Sequence, residues 1–176
     1  GGLSLINNTG GISLNAPIAY TSGAGNLTLT ANGDGTMPGA ISGNGTDLIA
    51  ANNLVFNAGS GIGSLVNPLH IQNGMGASVS ASNLRTAGAT TGDISLKQVG
   101  DGDMRLAGIV NATAGGATRL EVQNGVIDTG SSAVSAQGSV NMIANAIGAA
   151  SGNSAKVIVG SGGIAANGDV LLRAAD

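Results

Sequence analysis

The sequence predicts an all-β chain of short strands, with no helices, folded as a parallel β-helix (solenoid). Three observations carry that prediction: apolar and polar residues alternate over runs of four to six positions, glycine and asparagine dominate the intervening turns, and the apolar residues include almost no aromatics. Glycine supplies 32 of the 176 residues, well above the roughly 7% of average usage, and no Gly-X-Y period accompanies it. Hydrophobic residues make up 42% of the chain, yet Tyr20 and Phe56 are its only aromatics. A core built from this chain is therefore aliphatic.

The strand windows read, in order, GISL (11–14), GNLTLTA (25–31), NNLVFNA (52–58), SNLRTA (82–87), GDISLK (92–97), GDMRLA (102–107), ATRLEVQ (117–123), GSVNMIA (138–144), AKVIVG (155–160) and GDVLLRA (168–174). Period-two alternation puts one face inward and the other outward, the mark of a half-buried strand. No segment carries a helical i, i+3, i+4, i+7 stripe. Between the windows stand five Asn-Gly pairs, beginning at Asn32, Asn44, Asn73, Asn124 and Asn167. Such pairs accept the positive φ of sharp corners. Each could close a hairpin, but the strong strand positions recur at about 20 to 30 residues, as from Leu27 to Leu54 and from Leu120 to Val140, which is the scale of a solenoid coil. The expectation is one continuous body over residues 1–176 with about six to eight coils. Neither GGLSL at the start nor DVLLRAAD at the end reads as a cap, so further coils, covalent or from another copy, are expected beyond both.

Composition excludes several classes. A mean hydropathy of +0.29 and a net charge of −3 are the reverse of the low-hydropathy, high-charge signature of disorder. Only six residues are basic, Arg85, Lys97, Arg105, Arg119, Lys156 and Arg173, and they are scattered singly. Nucleic acid is not an expected partner, because phosphate binding needs clustered cations. The chain has no cysteine, and hence neither disulfides nor thiolate sites. No apolar run is long enough for a membrane span, and the start lacks a signal-peptide pattern.

One stretch breaks the monotony: GIGSLVNPLHIQ (61–72) holds the only histidine and one of three prolines. Pro68 lacks a donor N–H and holds Asn67 extended, so the dodecapeptide is expected to be a loop or corner excursion. Asn67, Pro68 and His70 form the candidate interaction loop, since loops on a rigid scaffold often carry binding. Without a second histidine, two-His metal sites are excluded. Asp101 and Asp103 in GDGD (100–103) could act as paired carboxylates, but Asp after Gly at a strand start more often accepts backbone hydrogen bonds. GNGTDLI (43–49) matches part of a calcium-binding nonapeptide, in one imperfect copy. Sequons start at Asn7, Asn26, Asn44 and Asn111. No catalytic, cofactor-binding or metal-ligating residue is assigned.

GSGIGSLVNPLHIQ (59–72), followed by VSASNLRTAGATTGDISLKQVGDGDMRLAGI (79–109), resembles the repeat regions of filamentous haemagglutinin-like exoproteins, the long bacterial adhesins of two-partner secretion. The matching positions are Gly61, Gly63, Ser64, Asn67, Pro68 and Leu69, then Asn83-Leu84 and Gly92 to Leu96. The resemblance is best over about 50–145. It implies a right-handed parallel β-helix, export through an outer-membrane secretion partner, a place outside the cell or on the bacterial surface, and attachment to a host-cell or surface receptor or glycan. The family's secretion domain with its Asn-Pro-Asn motifs is not in this stretch. The expected function is a non-enzymatic structural and adhesive segment of an extracellular fibre. The alternatives are a filament subunit that associates end to end, and a polysaccharide-active enzyme on the same fold.

Overall fold

Alternating residues form short strands, and here those strands stack. The computed structural model describes residues 1–20, 25–34, 36, 37, 39–84, 92–146 and 154–175. The first level of the stack holds β1 (Gly2–Asn7), β2 (Ile12–Leu14) and β3 (Ile18–Tyr20). The second holds β4 (Asn26–Ala31), β5 (Ala40–Gly43) and β6 (Leu48–Ala51). The third holds β7 (Asn53–Ala58), β8 (Gly61–Ile62) and β9 (Leu69–Asn73). Two long-stranded levels follow, β10 (Ser78–Asn83) with β11 (Ile94–Asp101), and β12 (Met104–Asn111) with β13 (Thr118–Asn124). The last two are β14 (Val126–Asp128), β15 (Val134–Ala136) and β16 (Val140–Asn145), then β17 (Lys156–Ile158), β18 (Ile164–Ala166) and β19 (Val170–Ala175). Each level pairs in parallel with the next, giving two sheets that wind together as a β-solenoid of about six turns. No described residue is helical.

The register explains the composition. Inward side chains form columns that run through the levels: Leu5, Leu29, Phe56, Ala81, Ile109, Val134 and Ile164 make one. Ile12, Ile41, Ile62, Ile94, Thr118, Val140 and Val170 make another. Leu69, Leu96, Leu120, Met142 and Leu172 make a third. At most levels a branched aliphatic chain meets another, about 4.8 Å away. The one buried ring, Phe56, is followed in its column by Ala81, whose small side chain leaves it room.

Coil length varies because only the strands are held in register. From Ile41 to Ile62 the chain advances 21 residues, and from Ile62 to Ile94 it advances 32. Leu27 pairs with Leu54, as the spacing predicts, whereas Leu120 pairs with Met142 rather than with Val140. The corner also moves. In the first three levels the first sheet contributes one strand and the second sheet two; in the last two levels the first sheet contributes two and the second one. β11 spans both β8 and β9, and β12 spans both β14 and β15, so these long strands carry the transition.

Two expectations are corrected. SNLRTA is not a strand over 82–87: β10 is built from the preceding SVSASN, Leu84 is exposed, and 85–87 lie outside the described residues. Its inward residues are Val79, Ala81 and Asn83, too small for a hydropathy pattern to register. The excursion at 61–72 is likewise shorter than expected, because Gly61–Ile62 and Leu69–Asn73 are strands and only 63–68 leaves the wall.

Replacing Leu96 by alanine should cost about 2–5 kcal/mol, and Leu96→Asp, which buries an unpaired charge, should lower the melting temperature further; thermal unfolding followed by circular dichroism measures both. Gly92→Val should also lower it, since a Cβ at Gly92 would clash with the carbonyl oxygen of Ser60.

Candidate functional site

Ile94 pairs with Ile62 and Leu96 pairs with Leu69, so the six residues 63–68 are extruded opposite the single residue Ser95. Gly63 makes this possible: its φ is +65°, and a Cβ there would meet the carbonyl oxygen of Ser95. The loop closes on itself, with Ser64 N donating to Asn67 O (2.9 Å) and Asn67 N donating to Ser64 Oγ (3.0 Å). Ser95 sits between two inward residues and so faces outward, yet it is fully buried. The loop covers it. Asn67 leans on the turn one level below, where its Oδ1 stands 3.1 Å from the Cβ position of Gly45.

Of the three residues predicted for the interaction loop, Asn67 is exposed and Pro68 half-buried within the excursion, while His70 lies in β9 on the wall. The tip belongs to Leu65 and Val66, 43% and 87% exposed. Sequence reasoning missed them, although two aliphatics directly before Asn-Pro, out of phase with the alternation, were a usable signal.

His70 heads an outward ionic column. It pairs in register with Lys97, and Lys97 with Glu121. Glu121 holds both neighbouring cations, Lys97 Nζ at 3.0 Å and Arg119 Nη2 at 2.8 Å. Burial lowers the His70 pKa below its ordinary 6.5, with help from the Lys97 charge, against the opposing pull of Glu121 and Asp47. Burial pushes the Glu121 pKa up, but hydrogen bonds and charge from Lys97 and Arg119 outweigh it and hold the group below its ordinary 4.5.

The other candidates have structural employment. Asp47 is buried and its Oδ2 accepts from Asn44 N (3.2 Å), while Asn44 Oδ1 accepts from Thr46 N, Thr46 Oγ1 and Asp47 N. GNGTDLI is thus an Asx turn. Asn111 of the fourth sequon is buried: its Nδ2 donates to Ala117 O (3.0 Å) and Gly92 O (3.2 Å), and its Oδ1 accepts from Asn83 Nδ2 (3.1 Å). Asp103 Oδ1 accepts from Val126 N (3.0 Å), the backbone role expected of Asp after Gly at a strand start, whereas Asp101, the last residue of β11, accepts from the side chain of Asn124, Nδ2 (2.9 Å). Both aspartates also line a cleft of about 300 Å³ with Asn73, Met75 and Arg105. Among the described residues no group of three or more His, Asp or Glu could hold a metal ion, and no helix is long and apolar enough to cross a membrane.

Compared with protein-family models, with curated proteins and with solved structures, the chain matches none.

A histidine whose folded pKa lies below its unfolded value binds fewer protons when folded, so acidification through that interval destabilises the fold. Stability should fall as pH drops through and below 6.5, and His70→Asn should remove that step. A carboxyl held low acts on the acid side: the contribution of Glu121 is complete above pH 4.5 and is lost as pH falls through its folded pKa. Urea midpoints across pH 3 to 8, compared with those of Glu121→Gln, separate the two steps.

Proposed function

We propose that this chain is a structural and adhesive segment of a bacterial extracellular fibre, a rigid non-catalytic rod whose loops make the contact. The observation that supports this reading is the parallel ladder that runs through every level from β1 to β19. Every central level is covered above and below, so rigidity accrues with each added coil while outer residues are free to vary. A covered aliphatic interior also gives proteases little purchase. Among the described residues, the 63–68 excursion is the part of the wall best placed to touch a surface, with Leu65 and Val66 at its tip and Asn67-Pro68 fixing its return. Host-cell or surface receptors and glycans are the partners this role calls for, and an outer-membrane secretion partner would deliver the chain.

An antibody against residues 63–68 should label intact producing cells, and Leu65→Ser with Val66→Ser should reduce attachment of those cells while leaving the melting temperature unchanged. Labelling seen only after lysis would end this reading. So would turnover of acidic glycans that Asp101→Ala or Asp103→Ala abolishes, which would favour the enzyme instead.

A second reading, subunits stacking end to end into a filament, is favoured by the apolar side chains on the outermost strands. Leu3, Leu5 and Ile6 of β1 and Val170, Leu171 and Leu172 of β19 are exposed. Contacts of that heterologous kind build open fibres. Filament lengths measured by electron microscopy should then shorten on dilution, whereas a covalent fibre keeps its length.

A further inference from the structure

The cleft beside Asp101 and Asp103 has a feature that their hydrogen bonds leave unexplained. Gln98 is 1% exposed, and its Nε2 has no hydrogen-bond partner. The amide lies between two lining residues of the cleft: Oε1 accepts from Asn73 N (3.4 Å), and a methyl at Gly102 would sit 3.4 Å from Nε2. Gly102, at φ +144°, carries no side chain to close that approach. Two buried acceptors at the same corner are also unpartnered, Asn73 Oδ1 and Asn124 Oδ1. Buried polar groups almost always find partners, so a donor and two acceptors left open together mark a place for a group that both gives and takes hydrogen bonds.

Asp101 and Asp103 each commit one carboxylate oxygen to the next level, and the other oxygen has no partner among the described residues. Arg105 is exposed and forms no ion pair among them. Met75 stands fully exposed at the tip of the turn after β9, offering an apolar surface beside the polar groups.

We propose that this cleft binds a neutral, hydroxyl-rich sugar, with Asn73 and Gly102 at its floor, the Gln98 amide directly behind Gly102, Asp101, Asp103 and Arg105 around it, and Met75 against the C–H face. Hydroxyls suit the site because each can donate to a carboxylate or amide oxygen and accept from Arg105 or, past the bare Cα of Gly102, from Gln98. A metal cation does not suit it, because the Gln98 N–H and the Arg105 guanidinium would repel the ion. Acidic sugars are disfavoured by the two carboxylates, which one arginine does not offset. At about 300 Å³ the cleft is at the lower end of ligand sites, roughly 300–1,000 Å³, and takes one or two sugar rings. This site is separate from the 63–68 loop, and the inference stands whether or not the rod belongs to a fibre.

Saturation-transfer NMR of the full chain against a panel of neutral and acidic mono- and disaccharides tests it. Transfer from the protein to at least one neutral sugar is expected, with affinity falling at least about tenfold in Arg105→Ala, the loss of one charged hydrogen bond. Met75→Ala should weaken binding without changing the melting temperature, since that side chain is wholly in solvent. Gln98→Met should abolish binding while leaving the melting temperature nearly unchanged, because it removes the unpartnered Nε2 at nearly constant volume and gives up only the long 3.4 Å bond from Asn73 N. Absence of transfer to any neutral sugar, transfer confined to acidic sugars, or binding that survives both Arg105→Ala and Gln98→Met would overturn the proposal.

Discussion

Everything in this molecule depends on the parallel register that sets each strand one spacing above its predecessor. That register places every inward residue directly over another inward residue, so the side chain at one level is the floor of the cavity for the next. Leu54 is covered by Leu27 on one side and Val79 on the other, and no hydrophobic partner need come from across a broad core. A chain nearly free of aromatics can therefore exclude water completely from the interior, as the full burial of Leu27, Ile41, Ile71 and Leu120 attests. Fully burying side chains of this size contributes about 1.5–3 kcal/mol each. Three-residue strands such as β14 and β15 persist because such columns continue above and below them.

The same register governs the polar groups. Asn83 and Asn111 occupy successive positions of one inward column, and their amides, with Thr113 Oγ1, close around the carbonyl of Gly92. Glycine is required there and at Gly116, where a Cβ would meet both Gly92 O and Thr113 Oγ1. Asparagine at these places is neither a turn residue nor a surface residue. It is a corner bracket that satisfies backbone groups which the sharp change of direction would otherwise leave open.

How much of this was legible follows from what alternation can encode. GNLTLTA, NNLVFNA and ATRLEVQ alternate large aliphatics with polar residues, and all three are strands in the expected phase. The strand SVSASN has the same inward phase but uses Val, Ala and Asn, and its weak contrast leaves the following Asn-Leu as the stronger signal. Two-residue β8 and three-residue β14, β15 and β18 are too short for any periodicity to register; their neighbours define them. At the sites, Asn67-Pro68 marked the excursion because proline chemistry is local, whereas the burial of Gln98 and its position under Gly102 are products of stacking distant segments. The ionic column of His70, Lys97 and Glu121 was hidden for the same reason, since 27 and 24 residues separate its members.

The migrating corner has a consequence for how such a chain can change over generations. Coils on one side of β11 and β12 share a division into one long and two short strands, and coils on the other side share the complementary division. Unequal recombination that deletes or duplicates a coil within either group joins like outlines and preserves the ladder. An exchange that joins the second level directly to the sixth puts six-residue β4 where eight-residue β12 spans β14 and β15, and strands inward residues. The transition is thus a boundary for modular growth: length can be gained or lost on either side of it, but the two long-stranded coils that carry it must be inherited together.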